Sequence, residues 1–317
     1  MDNCLLIGNG LNRCLNGGVP WGDLLKATAE HLNVTYNPEL SMPLEFERII
    51  NEYLEKNPND PVPNAIYNRV KREIAAKVEG VKLPEKAIHH EVAKLKMNAV
   101  LTTNYDTLLE NAFDKSYVYD GSKYKKYLFD STANINASTF YHLHGIANSP
   151  VSLCLGYEHY MGVVQYLRTE LNTKKDNQPY QMNIKRVLYN EEQPKNTWGE
   201  RFYTSNIAII GLELSESEAD IWWLLTHRAY LFYSNYAKIS NVLLNSIVFY
   251  DVVDELPKAS QKEQSDQVVK NRVKRNRHKL LANEHVVVKP FVLGKDCDSY
   301  EEAYHLIFQD ISKNGIG

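Results

Sequence analysis

Short apolar runs that end in polar or glycine-containing turns recur along the chain, and each predicts a buried strand. Segments with apolar residues at helical spacing lie between several of these runs, and another such segment follows the last run. The predicted strands are residues 4–7, 99–102, 139–143, 152–155, 207–210, 247–250 and 286–288, and the predicted helices include 43–54, 65–78, 86–95 and 300–311. Such alternation favours an α/β fold with a Rossmann-like, mostly parallel sheet and helices on both faces.

Two stretches interrupt this alternation. Residues 36–96 show three successive helical patterns without a strand, which predicts a helical insertion or cap, and residues 165–200 form a polar excursion. The expected organisation is therefore one domain over residues 1–317, with its core at about 1–35, 97–164 and 201–317. A basic helix within 254–278 indicates a solvated face, with a nucleic-acid surface as the weaker alternative.

Composition narrows the class of protein. Hydrophobic residues make up 44% of the 317 residues and charged residues 24%, which excludes a disordered chain, and a net charge of −3 gives no chain-wide basic field. The four cysteines include no CxxC pair, so a four-cysteine zinc module is excluded and no metal is expected. Without a signal-peptide pattern or a long apolar run, we expect a cytoplasmic protein without a membrane anchor.

In an open parallel sheet, ligands bind beyond the carboxyl ends of the strands. The first strand is followed by Gly8, Asn9, Gly10 and Asn12. Glycines there let the backbone approach a phosphate group, although a plain strand–helix turn is the alternative. Arg13 occupies the third glycine position of a dinucleotide fingerprint, so that motif is absent.

Three further strand ends carry polar residues or glycine. Thr103, Asn104 and Asp106 follow the second strand, where helix capping by Asn104 or Asp106 accounts for part of the cluster only. His144 precedes Gly145 and suits a general base, with a structural histidine as the alternative. His142 lies two residues earlier, on the same face if the strand is regular, but a third metal ligand with sensible spacing is missing. Gly211 and Glu213 follow the fifth run and are candidates to face a ribose and adenine.

In this order the segments resemble the sirtuin-like family, and most closely its bacterial antiphage NAD-hydrolase branch of Thoeris-type and related effectors. The resemblance covers roughly residues 1–250 and rests on short motifs whose order makes the set specific. These motifs are Leu6-Ile7-Gly8-Asn9-Gly10-Leu11-Asn12, residues 18–25 with Pro20 and Trp21, the block from Leu101 to Glu110, Leu143-His144-Gly145, residues 155–160, and Ile210-Gly211 with Asp220.

The resemblance implies roles for particular residues. Asn104 and Asp106 match the asparagine and aspartate near the nicotinamide ribose, and His144 matches the histidine that serves as base. We expect Asp106 to orient Asn104 or to contribute negative potential. Contacts to NAD⁺ are expected from Gly8, Asn9, Gly10, Asn12, Pro20, Trp21, Thr103, Gly145, Gly211 and Glu213.

Two departures separate the chain from deacylating sirtuins. It lacks their cysteine pairs, and Phe249-Tyr250-Asp251 stands where they carry an Asn-x-Glu pattern for adenosine. Both departures favour an NAD⁺ hydrolase that releases nicotinamide and ADP-ribose and depletes NAD⁺ in abortive infection. The alternatives are an NAD-dependent protein deacylase or ADP-ribosyltransferase, and a non-catalytic NAD⁺ or ADP-ribose sensor. A toxic activity also needs control, so we expect a homo-oligomer or a separately encoded partner or trigger protein.

Overall fold

The computed structural model describes residues 1–15, 20–59, 63–80, 82–84, 87–120, 125–171, 183–233, 243, 245–256, 258 and 260–316. Within these ranges the strands are β1 Asp2–Ile7, β2 Ala99–Thr102, β3 Ala133–Ile135, β4 Ser138–His142, β5 Ser205–Ile210, β6 Ile247–Asp254 and β7 Val287–Leu293. The helices are α1 Trp21–His31, α2 Met42–Lys56, α3 Pro63–Glu79, α4 His89–Lys94, α5 Leu108–Phe113, α6 Tyr157–Leu171, α7 Asn183–Leu188, α8 Trp198–Thr204, α9 Ala219–Tyr233, α10 Gln261–Asn283 and α11 Tyr300–Asn314.

The strands form one sheet in the order β3-β4-β2-β1-β5-β6-β7. All neighbouring pairs are parallel except β3 with β4, so β3 is an antiparallel edge strand. The six parallel strands have the order of a doubly wound dinucleotide-binding sheet, whose direction of winding reverses between β1 and β5. Ile7 is in register with Thr102 on one side and with Ile210 on the other, so these three strand ends are level. The predicted α/β, mostly parallel fold is confirmed.

Both faces of the sheet are covered, which explains why its strands are apolar in both directions. Leu5 and Ile7 of β1 belong to an apolar cluster that includes residues of α4, α5 and α11. Cys4 and Leu6 belong to the opposite cluster, to which α6, α8 and α9 contribute. The sheet is thus the middle of three layers, and its carboxyl edge opens between them.

A third apolar cluster joins α1, α2 and α3 above that edge. It includes Tyr105, Ala147 and Leu155 from the loops that follow β2 and β4. The predicted helical insertion at 36–96 thus contains α2, α3 and α4, and α1 packs with the first two of them. The division into a core and an insertion stays a prediction.

The predicted strand at 152–155 is wrong. A short 3₁₀ turn, Pro150–Ser152, occupies this position and an irregular segment follows it. Leu153 and Leu155 bury their side chains in the α1–α3 cluster, so burial in a loop produced the apolar signal that resembles a strand. Strand β3 was missed because it is three residues long and one of them, Asn134, is exposed.

The predicted polar excursion at 165–200 begins inside α6 and ends inside α8. Both helices bury apolar side chains there, among them Leu167 and Trp198, which are fully buried. The charged stretch at 174–177 lies outside the described residues. Among the described helices, none is both long and apolar enough to span a bilayer.

Candidate functional site

A cleft of about 1200 Å³ lies over the carboxyl edge of the sheet, at the point where the winding reverses. Four strand ends contribute to its lining: Asn9 after β1, Thr103 after β2, His144 after β4 and Gly211 after β5. Parallel strands and level ends bring these residues, which are far apart in the chain, to one place. The four strand ends singled out in the sequence therefore share one cavity.

Glycine is required where the loops after β1 and β5 meet. The Gly8 amide donates to the Ile210 carbonyl at 2.9 Å, and the Gly10 amide donates to the Gly211 carbonyl at 2.8 Å. A Cβ atom on Gly8 would lie 2.6 Å from the Gly211 carbonyl oxygen, and Gly211 itself has φ +64°. These glycines let two backbones pack closely beneath the cleft, and Gly10 and Gly211 also line it.

The main chain of Asn104 is held by hydrogen bonds, whereas its side-chain carboxamide has no hydrogen-bond partner among the described residues. Its amide donates to Thr102 Oγ1 at 3.0 Å, and its carbonyl accepts from His142 Nδ1 at 2.8 Å. The side chain is buried, yet neither Oδ1 nor Nδ2 has a hydrogen-bond partner among the described residues. Burying such a group without partners costs roughly 1–3 kcal/mol. A rigid backbone with an unsatisfied carboxamide is what a ligand-binding asparagine requires.

Asp106 forms no hydrogen bond with the Asn104 carboxamide, so it does not orient that group directly, and the alternative contribution of negative potential stays a prediction. One carboxylate oxygen accepts from the Leu108 amide at 3.0 Å, at the start of α5, and the other accepts from Asn12 Nδ2 at 2.7 Å. Asn12 Oδ1 in turn lies 2.8 Å from His89 Nε2. Asp106 therefore bonds to the first residue of α5, whose N-cap is Thr107, and connects the loops after β1 and β2 through Asn12.

His144 is paired with Asp220 of α9. Its Nε2 lies 3.0 Å from Asp220 Oδ2, and the two side chains are 4% and 0% exposed. Donation from Nε2 to the carboxylate leaves Nδ1 as the basic nitrogen, and no described residue forms a hydrogen bond with Nδ1. Burial lowers the His144 pKa, but the Asp220 charge outweighs it and the pKa is raised above its usual value. This pair has the geometry of a general base with an orienting carboxylate.

Glu218 is a second acidic group at this end of the cleft. It lines the cavity, and its Oε2 is buried without a hydrogen-bond partner among the described residues. Burial raises the Glu218 pKa to about 7, with the nearby His144 opposing and Asp220 reinforcing the shift. Two carboxyl groups and one imidazole thus share a small volume, and their charges depend on one another.

His142 does not share a face with His144, contrary to expectation. Strand β4 ends at His142, and the turn that follows, with Gly145 at φ +96°, directs His144 towards α9. His142 instead points towards α5, where its Nε2 lies 2.8 Å from Glu110 Oε1. With Nδ1 bonded to the Asn104 carbonyl, both ring nitrogens are occupied, and the part of the chain that the structure describes contains no cluster suited to a metal.

Aromatic residues form one wall of the cleft. Pro20 and Trp21, at the start of α1, line it together with Tyr105, and the Trp21 and Tyr105 rings meet edge to face at 4.3 Å. The His144 ring makes a similar contact with Tyr160 at 5.1 Å. Flat, apolar walls beside a few polar groups suit an aromatic ring of a ligand.

The far end of the cleft is polar and lies between β6 and α10. Asp251 accepts from Lys274 at 2.9 Å and is 2.8 Å from His278 Nε2. Burial raises the Asp251 pKa, but these two hydrogen-bond partners outweigh burial and hold the pKa below its usual value. Glu213 is exposed and lines the cleft, while its carbonyl accepts from Arg277. This end therefore combines carboxylates with cationic side chains.

The expected site residues divide into two groups. Those that line the cleft are Asn9, Gly10, Pro20, Trp21, Thr103, His144, Gly211 and Glu213, whereas Gly8, Asn12, Asn104, Asp106 and Gly145 are not among its lining residues. Sequence reasoning gave no role to Asp220 or Glu218. Their acidic spacing at the start of α9, shortly after a strand-end glycine, was the available signal.

Comparison with known proteins agrees with this geometry. Residues 98–215, which include β2, β4, β5 and the start of the loop after β5, match the SIR2-like domain family. Over 134 residues the chain is 28% identical to the NAD(+) hydrolase ThsA of Acinetobacter baumannii. That match covers 42% of this chain and 25% of the relative, so the chain matches only a quarter of the length of that protein.

Proposed function

We propose that this chain, with its SIR2-like segment at 98–215, is an NAD⁺ hydrolase that cleaves the nicotinamide–ribose bond. The observation that carries the proposal is the unpartnered, buried carboxamide of Asn104, whose neighbours Thr103 and Tyr105 line the same cleft as His144 of the His144–Asp220 pair. The identity to an NAD(+) hydrolase supports the same reaction.

The chemistry needs few protein groups. The bond between ribose C1′ and the pyridinium nitrogen breaks, its electron pair leaves with nicotinamide, and positive charge spreads over the ribose. Water then adds to C1′ and gives its proton to a base. Asn104 would bind the ribose hydroxyls or this water, and His144 Nδ1 would accept the proton, since Nε2 is engaged by Asp220.

The remaining expectations extend the proposal. NAD⁺ acts as substrate and no metal takes part; we further propose a cytoplasmic effector of antiphage defence that causes abortive infection by depleting NAD⁺. Control by assembly of a homo-oligomer or by a separately encoded partner belongs to the same proposal. The exposed face of α10, with Val268, Val269 and Val273 beside basic residues, is one candidate contact.

The test is incubation of the purified protein with NAD⁺ and quantification of nicotinamide and ADP-ribose. Turnover is expected from the wild type. Because a general base contributes about 10²–10⁴-fold, His144→Ala should lose a factor of that order. Asn104→Ala should also be slower than the wild type, because the group that binds the ribose or the water is removed. Equal turnover in all three proteins would disprove the assignment. Tight NAD⁺ binding without product in any of them would instead support a sensor.

A further inference from the structure

Asn104 lies beyond the reach of the β-sheet. Strand β2 ends at Thr102, and the Thr103 amide, which donates to the Ile7 carbonyl at 3.2 Å, makes the last bond between the main chains of β1 and β2. The main-chain N–H and C=O groups of Asn104 are bonded to side chains instead. Thr102 Oγ1 accepts from the Asn104 amide, and His142 Nδ1 lies 2.8 Å from the Asn104 carbonyl.

We propose that His142 and Glu110 form a positioning pair that fixes the peptide of Asn104 and thereby holds its carboxamide against the ribose of NAD⁺. The inference rests on the proposed function and assigns roles to two residues that do not touch the substrate. His142 is fully buried, Glu110 is fully buried, and their Nε2 and Oε1 atoms are 2.8 Å apart.

The direction of the hydrogen bonds is fixed by chemistry. A carbonyl oxygen can only accept, so His142 Nδ1 must carry a proton towards Asn104. The carboxyl of Glu110 lies at the opposite nitrogen, 2.8 Å from Nε2, so the ring connects α5 to the Asn104 carbonyl. Burial lowers the His142 pKa, yet Glu110 and the Asn104 carbonyl raise it above its usual value, which favours the doubly protonated ring.

Stability alone is a poor explanation for this pair. A buried ion pair recovers little more than the cost of removing its charges from water, and an apolar pair of similar volume is often as stable. Leu109 of α5 and Phe140 of β4 belong to the apolar cluster on one face of the sheet, while Asp106 lies close enough to His142, and Tyr117 close enough to Glu110, to interact with their charges. What an apolar pair cannot supply is a directional donor to the Asn104 carbonyl.

The test compares His142→Phe with the wild type, because phenylalanine keeps a ring and removes the donor. Displacing a reacting group by about 1 Å costs up to about 10²-fold, so kcat for NAD⁺ cleavage should fall about 10- to 100-fold with KM within about threefold. His142→Asn places a donor near the Nδ1 position and should recover most of kcat. Glu110→Gln keeps the shape of the pair and should lower kcat about tenfold.

A double-mutant cycle separates positioning from general damage. In an Asn104→Ala background His142→Phe should have no further effect on nicotinamide release, since the group it positions is absent. The matched control is His159→Phe on α6, another buried histidine that lies near a main-chain carbonyl, with Nε2 3.0 Å from Lys126 O. It should lower the melting temperature and leave kcat unchanged.

The proposal is overturned if His142→Phe lowers activity equally with and without Asn104, if asparagine gives no recovery, or if the His159 control loses the same activity. If His142→Phe does not fold, Glu110→Gln is combined with Asn104→Ala in the same double-mutant cycle and tests the proposal in its place. If the wild-type protein does not turn over NAD⁺, the proposed function itself is wrong. If the wild-type protein turns over NAD⁺ and the variants remain fully active, only the proposal of a positioning pair is wrong.

Discussion

Two histidine–carboxylate pairs flank the end of β4, and they differ in the surroundings of the second ring nitrogen. His142 and Glu110 are both fully buried, and both nitrogens of the ring are bonded. His144 and Asp220 are also buried, but His144 lines the cleft and its Nδ1 has no bond among the described residues. Both histidines are paired with a carboxylate. The difference between them is the other ring nitrogen, which is bonded to a main-chain carbonyl in His142 and has no bond among the described residues in His144.

The turn after β4 creates this difference. In a continued strand, His142 and His144 would project from the same face, because side chains two residues apart do so. The strand stops at His142, and the Gly145 position, whose Cβ would collide with the Ser152 backbone, needs glycine at φ +96°. One break in the strand thus places two similar side chains on opposite sides of the sheet, against α5 and α9.

The same substitution in both pairs should have very different effects on catalysis. Asparagine can donate from a position near Nδ1 but cannot accept a proton at pH 7. His144→Asn should therefore lower kcat by about 10²–10⁴-fold, whereas His142→Asn should stay within about tenfold of the wild type. The measurement is nicotinamide release at saturating NAD⁺.

Folding must be matched for that comparison, so both variants should show the same far-ultraviolet circular dichroism as the wild type. Similar losses of kcat in two folded variants would mean that the two histidines do not differ in role.

Removal of the carboxylate should change the pH dependence in one pair only. The Asp220 charge raises the His144 pKa against the effect of burial, and catalysis needs the neutral ring, so kcat/KM should rise with pH through that raised pKa. Asp220→Asn leaves burial to dominate, and the rising limb should move to lower pH by about one unit or more. We expect the plateau to fall about 10- to 100-fold because the imidazolium loses its counter-ion.

Glu110→Gln should leave the position of the limb unchanged, which makes it the matched control. Glu218 titrates near pH 7, so the profiles are best recorded in a Glu218→Gln background, where that ionisation is absent. An unmoved limb in the Asp220 variant would show that another group is the base.

The fold could be predicted because its strands are buried on both faces. Continuous apolar runs such as 99–102 and 207–210 are typical of central strands when helical patterns separate them, and β2 was predicted with the bounds that the structure shows. The error at 152–155 has the same origin, since an apolar run records burial and not hydrogen bonding. Strand order was not predicted, because it depends on crossovers that no local pattern records.

The candidate site was only partly predictable. Strand-end residues such as His144 and Gly211 were found because parallel strands carry their carboxyl ends to one edge. Partners from other elements were not found: Asp220 lies 76 residues after His144, and Asp106 bonds to Asn12 across 94 residues. Which acid meets which base is set by packing of the layers, so the acidic residues near the start of α9 could be noticed in the sequence but not paired with His144.

A third buried histidine, without a carboxylate, should affect stability and not catalysis. His159 Nδ1 lies 2.8 Å from the ammonium group of Lys71, and burial together with that charge lowers the His159 pKa to about 3. The unfolded chain binds the proton near pH 6.5, so this contribution to stability is complete above that pH and is lost as the pH falls towards 3. Between pH 6.5 and 5 the free energy of unfolding should drop by about 1–2 kcal/mol from this residue alone. Urea unfolding at both pH values measures this drop. His89 and His227, whose pKa values burial lowers to about 4, contribute a drop of their own. His159→Gln should therefore remove the His159 contribution and leave theirs. An unchanged pH dependence in that variant would show that His159 is protonated in the folded protein.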